Sequence, residues 1–126
     1  MTRPVGRIRD RSTFRALSRP EGRATRGPVR VTFVPPPPDR PTAFVQVGYA
    51  ISRHHGSAVI RNRLRRRLRA AVREASGSGD IPAGAYLVRP APGAADVAFG
   101  DLADLVSAAL AAAGAAGTQA TTEAGK

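Results

Sequence analysis

Six of the nine residues from Arg61 to Arg69 are arginine, and the run still carries an apolar repeat. Ile60, Leu64, Leu68 and Val72 recur every four residues, which places them on one face of a helix spanning about residues 58–75. The arginines take most of the remaining surface. A guanidinium matches phosphate oxygens in a bidentate fork, so the chemistry on offer is recognition of a polyanion. An ordinary solvated helix face would interleave acids four residues away. Here Glu74 is the only acid in the helix, at its far end, and residues 52–74 hold eight arginines. Such a concentration of like charge repels itself until an anion neutralises it.

The other chemistry-bearing residues are few. His54 and His55 sit beside Arg53 in a basic loop, and adjacent histidines make a poor chelating pair without further ligands. The absence of cysteine excludes disulfides and thiolate metal sites. No paired carboxylates, nucleophile–base pair or metal-ligand constellation stands out, so no catalytic residue is assigned. Asp101 and Asp104 lie near a helix start, where the macrodipole favours acids. For each of Phe14, Phe33, Phe44 and Tyr49 a place in the core is the favoured reading. Phe14 and Phe44 are the better candidates for a nucleotide-facing cleft: Phe14 is on a short helix with little else to bury, and Phe44 is on the sparser face of its strand.

The elements that must position these groups fit one small domain of 126 residues. Residues 1–11 read as a basic extended arm. Ser12 or Thr13 is placed to cap a short helix over 13–18, ended by Pro20 and Gly22. Residues 29–34 and 42–51 alternate as strands, separated by the stiff Pro35–Pro38 loop. Ser52–Ser57 connects into the arginine helix, which Ser76-Gly77-Ser78-Gly79 terminates. Residues 84–88 form a buried strand, and 90–95 a loop. Residues 99–113 form an amphipathic helix packed through Leu102, Leu105, Val106 and Leu110. Residues 114–126 lack a core-forming pattern and are expected to be a disordered tail, leaving 1–113 as the domain. The order is helix, strand or strands, strand, helix, strand, helix: an α+β sandwich of one sheet with helices.

Net charge is +11, and it is uneven. Residues 1–79 hold eighteen arginines and four acids; residues 80–126 hold two basic residues and five acids. The basic surface therefore belongs to the first two-thirds, and nucleic acid is the expected partner. DNA is disfavoured, because a lone basic helix between two strands has no helix-turn-helix partner or dimer zipper. RNA suits a sheet face with aromatic residues. No apolar run approaches a membrane span and no signal peptide is evident, so a cytoplasmic protein is expected.

The segment from Gln46 to Arg69 resembles the signature of the bacterial ribonuclease P protein subunit. A Val-Gly strand (Val47-Gly48) leads through a basic loop (Ser52-Arg53-His54-His55) and Gly56-Ser57-Ala58-Val59 into Arg61-Asn62-Arg63-Leu64-Arg65-Arg66. Arg9–Phe14 and Tyr86–Phe99 extend the likeness to about residues 7–112. The resemblance implies a single mixed sheet in αβββαβα order with a left-handed β-α-β crossover. It implies a protein that binds ribonuclease P RNA, the catalytic RNA, and with it removes the 5′ leader of precursor tRNA. The RNA carries the chemistry with Mg²⁺. By position, Arg53, Arg61, Asn62, Arg63, Arg65, Arg66 and Arg69 fall to RNA binding, and Phe14, with Arg11 and Phe44, to the leader. Arg65 stands where lysine is usual, and His54 replaces a basic residue. Ser18 stands where many relatives carry a second cleft aromatic. Composition alone also suits a different reading, a small ribosome-associated or RNA-chaperone protein without a processing role.

Overall fold

The computed structural model describes residues 5–37, 44–77 and 81–124. Its elements are β1 (Val5–Arg7), α1 (Arg11–Leu17), β2 (Gly22–Arg26), β3 (Val29–Val34), β4 (Val45–Tyr49), α2 (Ala58–Ser76), β5 (Gly84–Pro90) and α3 (Phe99–Ala124). The strands form one mixed sheet in the order β1-β4-β5-β3-β2. Strand β4 lies parallel to both β1 and β5, while β3 is antiparallel to β5 and β2. The sheet is an α+β layer with helices on both faces.

The alternation along the strands sorts the two faces. Val29, Val31, Phe33, Val45, Val47, Tyr86 and Val88 are buried with Leu64, Leu68 and Val72 of α2 and Leu102, Val106 and Leu110 of α3. Ile8, Leu17, Val34, Ala85 and Leu87 make a smaller core on the α1 side. Of the apolar stripe on α2, Ile60 lies outside the core and is exposed, while Ala71 and Ala75 join it. Leu105 is only partly buried beside the α3 core residues.

At four places the structure adds to or departs from the expected elements. The N-terminal arm is extended at Val5–Arg7, as expected, and there adds a strand beside β4 through Val5↔Val45 and Arg7↔Val47, while its residues 1–4 lie outside the described residues. Gly22–Arg26, of which the residue pattern marked only Gly22 as a helix stop, pairs with β3 as an edge strand and is one of the three strands between the first two helices in the implied αβββαβα order. Helix α1 starts at Arg11, two residues early, with Asp10 as its N-cap residue. Finally, α3 does not stop at 113 but continues to Ala124, where a disordered tail was expected. The continuation is docked by glycine. A Cβ on Gly114 would stand 2.5 Å from the Tyr86 hydroxyl, and one on Gly117 would overlap the Phe33 ring. An Ala/Gly-rich segment thus packs through the lack of side chains, which no hydrophobic periodicity reports. The expected strand residues 42–43, the loop residue Pro38, the stop residues Ser78 and Gly79, and tail residues 125–126 lie outside the described residues.

This docking gives a direct expectation. Gly117→Val forces overpacking against Phe33 and should cost about 1–3 kcal/mol. Gly100→Ala meets no atom within 4 Å and should leave the thermal midpoint nearly unchanged. Equal melting of the two variants would show that α3 does not rest on the sheet at Gly117.

The hand of the β4–α2–β5 crossover follows from the backbone. The Ala50 N–H donates to the Val88 carbonyl at 2.9 Å, and the Phe44 carbonyl accepts from the Gly84 N–H at 3.1 Å. Even-numbered residues of β4 therefore aim their backbone groups at β5. Their side-chain direction is the α1 face, since a Cβ on Gly48 would meet Ile8 and Phe14. In a strand of L residues running upward, a residue facing the viewer aims its N–H and C=O to the right. Seen from the α1 side, β5 is thus to the right of β4; seen from the α2 side, it is to the left. A connection that steps left on the viewer's side is left-handed, against a rule that holds in about 98% of parallel crossovers.

Candidate nucleic-acid interface

Local chemistry fixes where α2 begins. The Ser57 hydroxyl accepts from the Ile60 N–H at 3.3 Å, capping the helix. Gly56 precedes it at φ 126°, a conformation that favours glycine. The loop before it is a 3-10 turn, Arg53–His55, capped by Ser52. His55 pins this turn to the end of β5: its Nε2–H donates to the Pro90 carbonyl at 2.6 Å, and Nδ1 faces the Ser52 N–H at 3.2 Å. His55 is therefore a structural clasp, whereas His54 and Arg53 are exposed.

With Leu64, Leu68 and Val72 in the core, the arginines divide between two sides of α2. On one side Arg65, Arg69 and Arg73, spaced by four, share a cavity of about 400 Å³ with Arg7, Tyr49 and Phe14. The Arg69 guanidinium lies over the Tyr49 ring, 6.0 Å from its centroid, a cation–π geometry. Burial pushes the Tyr49 phenol up to about 12, outweighing the downward pull of Arg69 and Arg73, so it stays a neutral donor. The Asn62 side-chain carbonyl accepts from Arg65 at 3.0 Å and holds that guanidinium in place. On the other side, exposed Arg63 and Arg66 flank Arg67 beside the loop before α3. Arg67 donates to the Ala95 carbonyl at 3.1 Å and also to the Val97 carbonyl, so it is committed to the fold. Arg61 is partly buried, and its Nε has no hydrogen-bond partner among the described residues.

The α1 side offers a second concavity, of about 710 Å³, between α1 and the sheet, lined by Ser12, Arg15, Arg19, Pro35–Pro37 and Gln46 among others. Arg11 is exposed at the first turn of α1. Asp10 at the cap accepts from the Ser12 and Thr13 hydroxyls, which hold its carboxyl below the usual range. Phe14 is 47% exposed, a high value for an aromatic ring, and it lies over Gly48. Phe44 is 56% exposed but lines neither cavity. The Ser18 hydroxyl is turned back to the Arg15 carbonyl at 2.6 Å.

The structure therefore brings Arg65, Arg69 and Phe14 to one cavity, places Arg63 and Arg66 on another side, and leaves Arg53, Arg11 and Phe44 apart from both. It adds residues that sequence reasoning passed over. Arg73 continues the Arg65–Arg69 spacing and was legible in the helical period. Arg7 joins only through the β1 pairing. Arg30 and Arg89 are direct cross-strand partners on β3 and β5, both exposed on the α1 face. Like charges so placed are destabilising without an anion, and only the register reveals the pair.

On a small α+β fold with a left-handed crossover, an arginine-faced helix thus stands beside an exposed aromatic, a surface whose charge suits a polyanion. The family model described as Ribonuclease P matches residues 3–114. The chain is 41% identical over 115 residues to the ribonuclease P protein component of Thermobifida fusca, covering 87% of this chain and 77% of that protein. It is 40% identical over 100 residues to that of a Nocardioides species, covering 77% and 81%. The RNase P protein from Thermotoga maritima superposes with a TM-score of 0.69 at 23% identity, over 83% of this chain and 94% of that one. The Staphylococcus aureus RNase P protein gives 0.67 at 19%, over 82% and 91%. The chain belongs to the ribonuclease P protein family.

Proposed function

We propose that this chain binds ribonuclease P RNA through α2 and holds the 5′ leader of precursor tRNA along the α1 side of the sheet. As a bacterial-type protein component it supports 5′ maturation of tRNA together with the RNA subunit, and the reading as a chaperone without a processing role is not favoured. Arg61, Asn62, Arg63, Arg65, Arg66 and Arg69, with Arg53 on the preceding turn, are assigned to the catalytic RNA. Phe14, with Arg11 and Phe44, is assigned to the leader. The carrying observation is that Phe14 and the Arg65–Arg69–Arg73 row line one cavity. The left-handed crossover serves this arrangement. It sends β5 to one side of β4, and among the described residues the other edge is covered by the three residues of β1. Across that short edge the two RNAs can meet.

Cleavage is assigned to the RNA and its Mg²⁺. Among the described residues no three His, Asp or Glu side chains converge to hold a metal. DNA and membrane are not assigned as partners, and the cytoplasm is the proposed location. Residues 99–117 are long and apolar enough to cross a membrane by composition, but Leu102, Val106 and Leu110 of that stretch are spent on the sheet.

Stacking of a base on an aromatic ring contributes about 1–3 kcal/mol. Phe14→Ala should therefore weaken binding of precursor tRNA carrying a leader, by the holoenzyme, more than binding of mature tRNA. Equal losses for both substrates would return Phe14 to a purely structural role.

A further inference from the structure

Phe99 opens α3 with its ring 41% exposed, although a phenylalanine at a helix start gains nothing from water. It borders a concavity of about 630 Å³ whose opposite wall is α2, with Arg63 and Arg66 exposed on it. This is the side of α2 turned away from the Phe14 cavity. Arg67 donates to the carbonyls of Ala95 and Val97 and locks the loop before α3 against α2. The ring and the two exposed guanidiniums are thus carried on elements tied to each other. Asp96 is the one acid lining the space among the described residues.

We infer that this shelf takes one unpaired nucleotide of the catalytic RNA, its base stacked on Phe99 and its phosphates on Arg63 and Arg66. The inference rests on the proposed binding of ribonuclease P RNA by α2 and names a contact within it. The pairing of ring and guanidinium suits a nucleotide: an aromatic face accepts any base, and arginine forks accept the flanking phosphate oxygens. A protein side chain seated on Phe99 would leave Arg63 and Arg66 unneutralised. Asp96 sets the polarity, since its carboxylate repels phosphate and keeps the backbone on the α2 side.

The chain contains no tryptophan, so Phe99→Trp supplies a single reporter. Its emission should be quenched on titration with ribonuclease P RNA, and Phe99→Ala should bind that RNA roughly 5- to 150-fold more weakly, the span of one stacked base. The thermal midpoint of Phe99→Ala should stay near that of the parent. Arg63→Ala with Arg66→Ala in the tryptophan variant should reduce the quench at saturating RNA. Silent emission together with parent-like affinity of Phe99→Ala would overturn the shelf while leaving α2 as an RNA-binding helix. Failure of the unmodified chain to bind the RNA at all would overturn both.

Discussion

Raising salt from about 50 to about 200 mM should weaken binding to the catalytic RNA by orders of magnitude, because each arginine–phosphate contact releases condensed counterions. The expectation stems from the +7 balance of residues 52–74, eight arginines less Glu74. It also stems from the arrangement of those charges, with Arg7, Arg65, Arg69 and Arg73 lining one cavity that has no acid among its described lining residues. The slope of log affinity against log salt is the quantity to measure. Substituting Arg65, Arg69 and Arg73 together by alanine should flatten it by about 2–3, at roughly 0.7–0.9 per phosphate contact. A flat affinity in the parent chain would remove α2 as the contact surface.

Leu68→Asp should unfold the protein, whereas Arg66→Ala and Arg69→Ala should leave it folded and weaken RNA binding. Leu68 is fully buried against the sheet, and Arg66 and Arg69 are exposed on the same helix. Truncating a buried leucine alone costs about 2–5 kcal/mol. An unpaired carboxylate in that position adds a desolvation cost with no hydrogen-bond partner to offset it, against a total stability of about 5–15 kcal/mol for a typical domain. Thermal melts and RNA titrations on the same three variants separate the effects. Arginine variants that melt as badly as Leu68→Asp would show that the helix faces have been assigned wrongly.

The parts of this molecule that announce themselves in sequence are those with a repeating pattern. Helix α2 was legible because Leu64, Leu68 and Val72 keep the helical period through a run of arginine. Strands β3 and β5 were legible from alternation or a continuous apolar run. What escaped has no such pattern. Strand β1 is three exposed residues that exist as a strand only because β4 offers an edge. Strand β2 is Gly-Arg-Ala-Thr-Arg, whose partner is supplied by register with β3. The turn of α3 that follows residue 113 docks through Gly114 and Gly117, where the informative property is absent volume.

The site divides along the same line. Residues on one helix could be grouped from spacing, so Arg65 and Arg69 were found, and Arg73 lay one further step along the row. Groups assembled across strands could not: Arg7 beside α2, and Arg30 opposite Arg89, depend on pairings remote in the chain. Nor did spacing show that Arg67 is spent on the carbonyls of Ala95 and Val97, or that His55 clasps Pro90. The left hand of the crossover is a third kind of case. It contradicts the general rule, and the likeness of residues 46–69 to a known family was the only sequence-level reason to expect it.

Reconstitution tests the central claim most directly. Ribonuclease P RNA and a precursor tRNA with a 5′ leader are mixed at a Mg²⁺ concentration too low for the RNA to act alone, with and without the full chain. Leader release should appear only when the chain is present, and Mg²⁺ sufficient for the bare RNA should shrink the difference. Cleavage that stays absent at low Mg²⁺ with the chain added, from an RNA active at high Mg²⁺, would contradict the assignment.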